Sequence, residues 1–382
     1  MKKTCLLLIF LCCFLLTGCM SSRVEEQLLV IVLGLDTAEN GGLTLTVKVP
    51  GNSAGGQGGG GQSGGEQGSD QKGYLTLHAT GHLFSDTLEL LLATTPRSLN
   101  FSQVWEIAIS RELAETAQFP ALLQQLYTLP RMHTQAALVI CEGKARKFVE
   151  EQKPYVGLRL SRYIEVTLRN YADKGFVPTT TLAKAVREMR YGWQDPLLIL
   201  GAISQEQEDH ITEENVLDVD AEKLPSTSVN KVKFYGAAAT DGEKVSGTLT
   251  GYEMALINLI RGGAQSLNLT DENGFPLPLY ARTPATLSVK GDEQLSLDVR
   301  FICEVNYLSG YAPNGEKIAQ QLELEITEVI QKLQQMRCDG LGFGSLCVRR
   351  FMTIPEWENF HFREKYASAQ VNVNVQVRLK EE

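Results

Sequence analysis

Cysteines, histidines and carboxylates are the side chains here with the widest chemical scope, and one cysteine sits in a setting that assigns it a reaction. Leu16-Thr17-Gly18-Cys19 follows Lys2, Lys3 and an unbroken apolar run from Cys5 to Leu16. That run is too short to span a bilayer and has the length of a signal-peptide core. Small residues at Thr17 and Gly18 let a peptidase pocket close on the chain, and Leu16 fills the apolar position three before the cut. Cleavage between Gly18 and Cys19 is expected. Cys19 then carries the one side chain at the new terminus that can form a thioether with a diacylglyceryl group. Each buried CH₂ contributes about 0.8 kcal/mol, so two or more acyl chains of the palmitate class hold a protein stably where one does not.

The remaining candidates are weaker. Loss of residues 1–18 removes Cys5, Cys12 and Cys13 and leaves Cys141, Cys303, Cys338 and Cys347 besides Cys19. No Cys-x-x-Cys pair survives for a zinc ribbon or a thioredoxin-type motif. Cys338 and Cys347 flank the turn Gly340-Leu341-Gly342-Phe343-Gly344, and an oxidising compartment could close them into a disulfide. Spacing alone leaves the bridged and free forms both open.

His78 and His82 are four apart, a helical metal-ligand spacing, but Gly81 intervenes and the preceding residues alternate as a strand. Surface histidines are the simpler reading, and His133, His210 and His361 have no ligand-spaced neighbour. The glycines of 340–344 follow a helix instead of opening one, and no Lys-Ser or Lys-Thr follows Gly51 to Gly73, so neither reads as a nucleotide loop. No Ser-x-x-Lys, Gly-x-Ser-x-Gly, His-Glu-x-x-His or Walker lysine is present. Glu150-Glu151 and Glu213-Glu214 lie in polar runs that read as solvated faces. No catalytic residue, metal site or cofactor is therefore expected.

The elements that would position such residues are legible from periodicity. Leu28 to Leu35 and Leu43 to Val49 read as a hairpin around Asn40-Gly41-Gly42. The Gly, Gln and Ser stretch 51–73 reads as a disordered loop. Strands are expected at 74–80, 104–109 and 136–141, with helices over 83–93 and 111–126. Helical spacing returns between Arg159 and Arg190, broken at Gly175, with Thr180 as a cap. Residues 204–228, polar and acidic with Pro225, read as a linker. Beyond it come a strand pair around Asp241-Gly242, a helix from Tyr252, and strands 286–289 and 294–307. A long amphipathic helix from Glu316 and a last strand of alternating Val371, Val373, Val375 and Val377 follow.

These patterns predict an α+β protein of more than one domain, with mainly antiparallel sheets packed by helices. The expected division is a signal peptide over 1–18, an N-terminal domain over 19–203, the linker 204–228 and a C-terminal domain over 229–382. The net charge is −9, and loss of Lys2 and Lys3 makes it more negative still. With no basic block to meet phosphates, nucleic acid is not an expected partner.

Leu16-Thr17-Gly18-Cys19 resembles the lipobox of bacterial lipoproteins. In order along the chain come Leu29 to Asp36, Gly81-His82, Pro96-Arg97-Ser98-Leu99-Asn100-Phe101, Gly247 to Glu253, Gly340 to Gly344, Pro355-Glu356-Trp357 and the valine-alternating strand. Together these resemble the GerAC family, the lipoprotein C subunits of spore germinant receptors. The glycine-rich insert 51–73 departs from the family, as does the segment after Trp357, where a second Trp is replaced by Phe360, Phe362 and Tyr366. The resemblance implies lipid attachment at the outer face of the spore inner membrane, beside a polytopic A subunit and a transporter-like B subunit. It lends no catalytic residue and leaves open whether this subunit binds the small-molecule germinant. The competing reading is a solute-binding lipoprotein of a transporter, which predicts strand-helix units repeated in two lobes.

Overall fold

The computed structural model describes residues 26–51, 73–154, 159–204, 220–224, 231–263, 266–270, 276–309 and 313–381. The expected signal peptide, Gly18 and Cys19 lie outside them, as do nearly all of the glycine-rich stretch 51–73 and most of 204–228.

β1 (Gln27–Leu29) leads into β2 (Val32–Thr37) and β3 (Leu43–Pro50). β2 and β3 pair antiparallel from Val32↔Lys48 to Thr37↔Leu43, the expected hairpin, with Gly41 at φ +77° in its turn. β4 (Tyr74–Gly81) pairs along all of β3. After α1 (Phe84–Thr94), β5 (Ser98–Asn100) lies parallel to β1. β6 (Glu106–Ser110), β7 (Ala137–Cys141) and β8 (Leu197–Ile203) then run parallel to β2 in the order β2-β6-β7-β8. Every residue of β6 is buried, as a strand covered on both faces requires.

The helices between these strands cover both faces. The helix expected over 111–126 is two, α2 (Arg111–Ala114) and α3 (Phe119–Thr128), because Pro120 suits a first turn and not an interior. α3 and α6 (Leu182–Tyr191) pack one apolar layer with Leu122, Leu126, Leu138 and Leu182. α4 (Ala145–Glu151) and α5 (Leu160–Asp173) pack the other with Phe148, Leu160, Ile164 and Val139.

β9 (Val232–Thr240) and β10 (Val245–Leu249) complete this sheet: β9 pairs antiparallel with β8 and β10 with β9, giving eight strands in the order β10-β9-β8-β7-β6-β2-β3-β4. The boundary expected at 204–228 therefore falls inside one hydrogen-bonded sheet. Its described part also packs inward: Ala221 is buried and Ser204 Oγ donates to Leu224 O at 2.5 Å. The physical reason is β8, whose unbroken apolar run Leu197-Leu198-Ile199-Leu200 needs a strand on each side.

The second sheet is built on α7 (Gly251–Arg261) and α8 (Gly315–Gln335). β11 (Ser266–Thr270), β12 (Pro276–Tyr280), β13 (Thr286–Lys290) and β14 (Ser296–Tyr307) pair antiparallel in the order β11-β12-β14-β13. β15 (Gln370–Glu381) pairs with β14 in parallel over all twelve residues. Its valines turn toward the core under α8, where Leu322, Ile326, Val329, Ile330 and Leu333 are buried. The architecture is α+β, with mixed sheets whose pairings are mainly antiparallel.

Candidate functional site

One concentration of buried polar groups lies where the two sheets meet. Just before β8, Asp195 is 1% exposed. Its carboxylate accepts from Asp339 N–H at 2.8 Å and ion-pairs with the guanidinium of Arg363. Asp195 N–H donates in turn to Asp339 O at 3.2 Å. Burial raises the Asp195 carboxyl to about 6, against the pull of Arg363.

Asp339 organises the glycine-rich turn. Its Oδ1 accepts from Gly342 and Phe343 N–H at 2.9 Å each, and its Oδ2 from Gly344 N–H at 2.6 Å. Only a glycine suits position 342, at φ +82°, and a Cβ on Gly344 would stand 2.6 Å from Trp193 O. Burial raises Asp339 to about 7 against these three donors, with Asp195 adding to the rise. A carboxylate cradled by its own loop fixes backbone; it is not poised to meet a substrate.

The segment beyond is pinned the same way. Tyr366 OH donates to Cys338 O at 3.0 Å, and the Gln334 amide donates to Tyr366 O and Ala369 O at 2.8 and 2.9 Å. On this base sit α9 (Phe343–Cys347), α10 (Ile354–Asn359) and α11 (Phe362–Ala367). Their aromatics form a cluster: Phe351 lies 4.9 Å from Phe360, and Trp357 5.4 Å from Phe362, centroid to centroid. Lys365 Nζ stands 4.0 Å over Phe360. At the tip Met352 is 92% and Ile354 71% exposed, so the lobe presents apolar area to its surroundings.

A second polar concentration lies at the carboxyl ends of β2 and β6. A surface cavity of about 750 Å³ is lined by Asp36, Thr37, His78, Thr80, Lys144 and Arg146, among others. Asp36 accepts from Ala145 and Arg146 N–H at 2.7 and 2.8 Å and so caps α4. Two of the cations are paired across the cavity rim, Lys144 with Glu112 at 2.7 Å and Arg146 with Glu150 at 2.9 Å.

The residues singled out from sequence separate accordingly. Cys338 and Cys347 are buried free thiols, not a disulfide. Burial lifts both thiols above their ordinary range, and each belongs to the packed base of the lobe instead of the mouth of the turn. Cys141 and Cys303 are also buried and free. His78 sits on β4 and His82 beyond its end; His133 instead joins the loop walls below β6. Among the described residues, no group of three or more His, Cys, Asp or Glu is placed to hold a metal ion. The sequence carries no sign of Asp195 or Arg363, and Asp339 reads in it only as part of the Asp339-Gly340 stop of the long helix. The one local signal was an aspartate directly before alternating glycines.

With this geometry in view, comparison with known proteins defines the class. Residues 21–202 match the family model described as spore germination protein N-terminal domain, and residues 235–382 match the one described as spore germination B3/GerAC like, C-terminal. The chain belongs to the GerAC family of spore germination proteins. Among solved structures, the crystal structure of the GerBC protein is similar, with a TM-score of 0.51 at 12% identity over 91% of this chain and 96% of that one. At that identity the likeness concerns the fold. No curated protein matches the chain.

Proposed function

We propose that the chain is the non-catalytic, lipid-anchored C subunit of a spore germinant receptor. Acyl chains on Cys19 hold it at the outer face of the spore inner membrane, where it assembles with the membrane A and B subunits and takes part in nutrient-triggered germination. The observation that carries this reading is one chain that joins Leu16-Thr17-Gly18-Cys19 to both GerAC family matches. Among the described residues no helix is long and apolar enough to cross a membrane, which is compatible with attachment through lipid. Nothing in the buried joint supplies an activated nucleophile, since its carboxylates are spent on backbone N–H groups and Arg363.

The transporter-lipoprotein reading requires two similar strand-helix lobes. Here the first sheet has a parallel centre with crossover helices, whereas the second is a set of antiparallel strands closed by one parallel pair. The test is a pull-down of tagged full-length chain from detergent-solubilised spore inner membrane, alongside the Cys19→Ala version. Polytopic receptor subunits are expected with the first, and loss from the membrane with the second. Membrane attachment with only transporter components, or with nothing, would end the germination assignment and leave the anchor standing.

A further inference from the structure

The end of the first sheet at which β2, β6 and β7 begin is also where the described chain enters. Glu26 O accepts from Ser98 Oγ at 3.2 Å, and Val30 N–H donates to Asn100 O at 2.9 Å. His133 N–H donates to Phe101 O at 3.1 Å, and its ring nitrogen lies 2.8 Å from Val104 O. The loops 95–105 and 129–136 thus wall the entry point on one continuous rim.

The two rim loops carry basic side chains and no acidic one. In a chain with 45 acidic residues, the segments 91–105 and 116–141 contain Arg97, Arg131 and His133 and no Asp or Glu. Acids at this end of the sheet are Glu26, exposed at the entry itself, Glu106, which is fully buried and bonded to the Gln152 amide at 2.7 Å, and half-buried Glu151 at the end of α4, beside Lys48. Arg131 is exposed and Arg97 half-buried. Around them Leu28, Leu99, Leu129 and Met132 are half-buried, and Tyr127 is 41% exposed. Arginines with apolar stems, aliphatic side chains and an exposed tyrosine are the composition of a lipid-water interface.

Chain length brings that interface close. Cys19 precedes Glu26 by seven residues, and seven residues reach at most about 25 Å when fully extended. We propose that this rim is the membrane-facing surface of the protein and rests on anionic phospholipid headgroups through Arg97 and Arg131. The proposal rests on the reading of Cys19 as the lipid anchor. It adds an orientation: the entry rim lies toward the bilayer, and the cavity at the carboxyl ends of β2 and β6 lies away from it. Basic side chains near an anionic leaflet are attracted over about a Debye length, so the arginines act within that short reach.

The native thiols at Cys141, Cys303, Cys338 and Cys347 are buried, so a fluorophore on an introduced cysteine reports one site. The full chain, lipidated on Cys19, is placed on vesicles of mixed phosphatidylglycerol and phosphatidylcholine carrying a headgroup quencher. Gln103→Cys and Gln135→Cys are exposed positions on the rim, and Glu39→Cys is an exposed position at the other end of β2. Strong quenching at the two rim sites and weak quenching at Glu39→Cys is expected, with part of the rim quenching lost in Arg97→Gln/Arg131→Gln. Equal quenching at all three sites, or more at Glu39→Cys, in protein that still floats with the vesicles would overturn the orientation and leave the anchor intact. Rim quenching unchanged by the double substitution would remove the arginines from the proposal. Failure to float at all would overturn the anchor and the orientation together.

Discussion

Asp339 shows how a single side chain can set both the local backbone and the pH response of the molecule. Its folded pKa of about 7 and that of Asp195, about 6, lie above the ordinary value of 3.8. A carboxyl whose pKa is raised on folding binds its proton more tightly in the native state. Its contribution is therefore fully present below the unfolded value and is lost as pH rises through the folded one, here between about pH 4 and about pH 7. Asp339→Asn removes one of these titrations, so the fall in urea midpoint between about pH 5 and about pH 8 should be smaller in the variant than in the parent chain. Equal falls in the two proteins would show that Asp339 does not titrate in that window. Lys48 works in the opposite sense: burial lowers its ammonium to about 8, so its contribution is lost as pH falls through that value. Comparing variant with parent isolates the aspartate from it. Sequence disclosed the turn at 340–344 but not its carboxylate, because Asp339 meets Asp195 at a separation of 144 residues, and Asp195 meets Arg363 at 168.

Elements with strong periodicity or caps were legible, and those that depend on neighbours were not. The helix α8 and the valine-alternating β15 stand where their patterns place them, and so does the hairpin β2-β3 except that the expected first arm, 28–35, is broken at Val30-Ile31 and its start pairs with β5. α6 starts one residue later than expected: Thr181 accepts from Lys184 N–H at 3.3 Å, and Thr180 is drawn instead to Leu197 O at 2.6 Å. β8 was hidden in a continuous apolar run with no alternation, and β11 and β12 are short, with Pro276 and Pro278 in β12. α7 illustrates a well-signalled element. Thr250 and Glu253 form a reciprocal capping box, and Glu253 also holds Lys332 of α8 at 2.7 Å. Thr250→Ala should cost roughly 1 kcal/mol of unfolding free energy. Urea titration reads this directly, and a change within error would mean that the box contributes nothing beyond the packing of α7.

At the scale of the whole molecule, sequence gave the α+β class and placed a divide at 204–228, while hydrogen bonding places β9 and β10 on the far side of that divide into the first sheet. The family matches divide similarly, at 202 and 235, so the segment of sequence and the unit of packing are offset by two strands. A fragment ending at residue 203 would leave β8 without the Ala237-Ala238-Ala239 stretch that covers its edge. An exposed apolar edge of this kind pairs with other copies. Such a fragment should elute from size exclusion as large aggregates or be insoluble, and a monodisperse monomer would show that β9 is dispensable. The same offset governs the order in which the polypeptide can acquire structure as it emerges residue by residue. However early its first residues emerge, the first sheet cannot close until residue 249 is free, and between the appearance of residue 203 and that of residue 240 the edge of β8 must be covered by something other than β9.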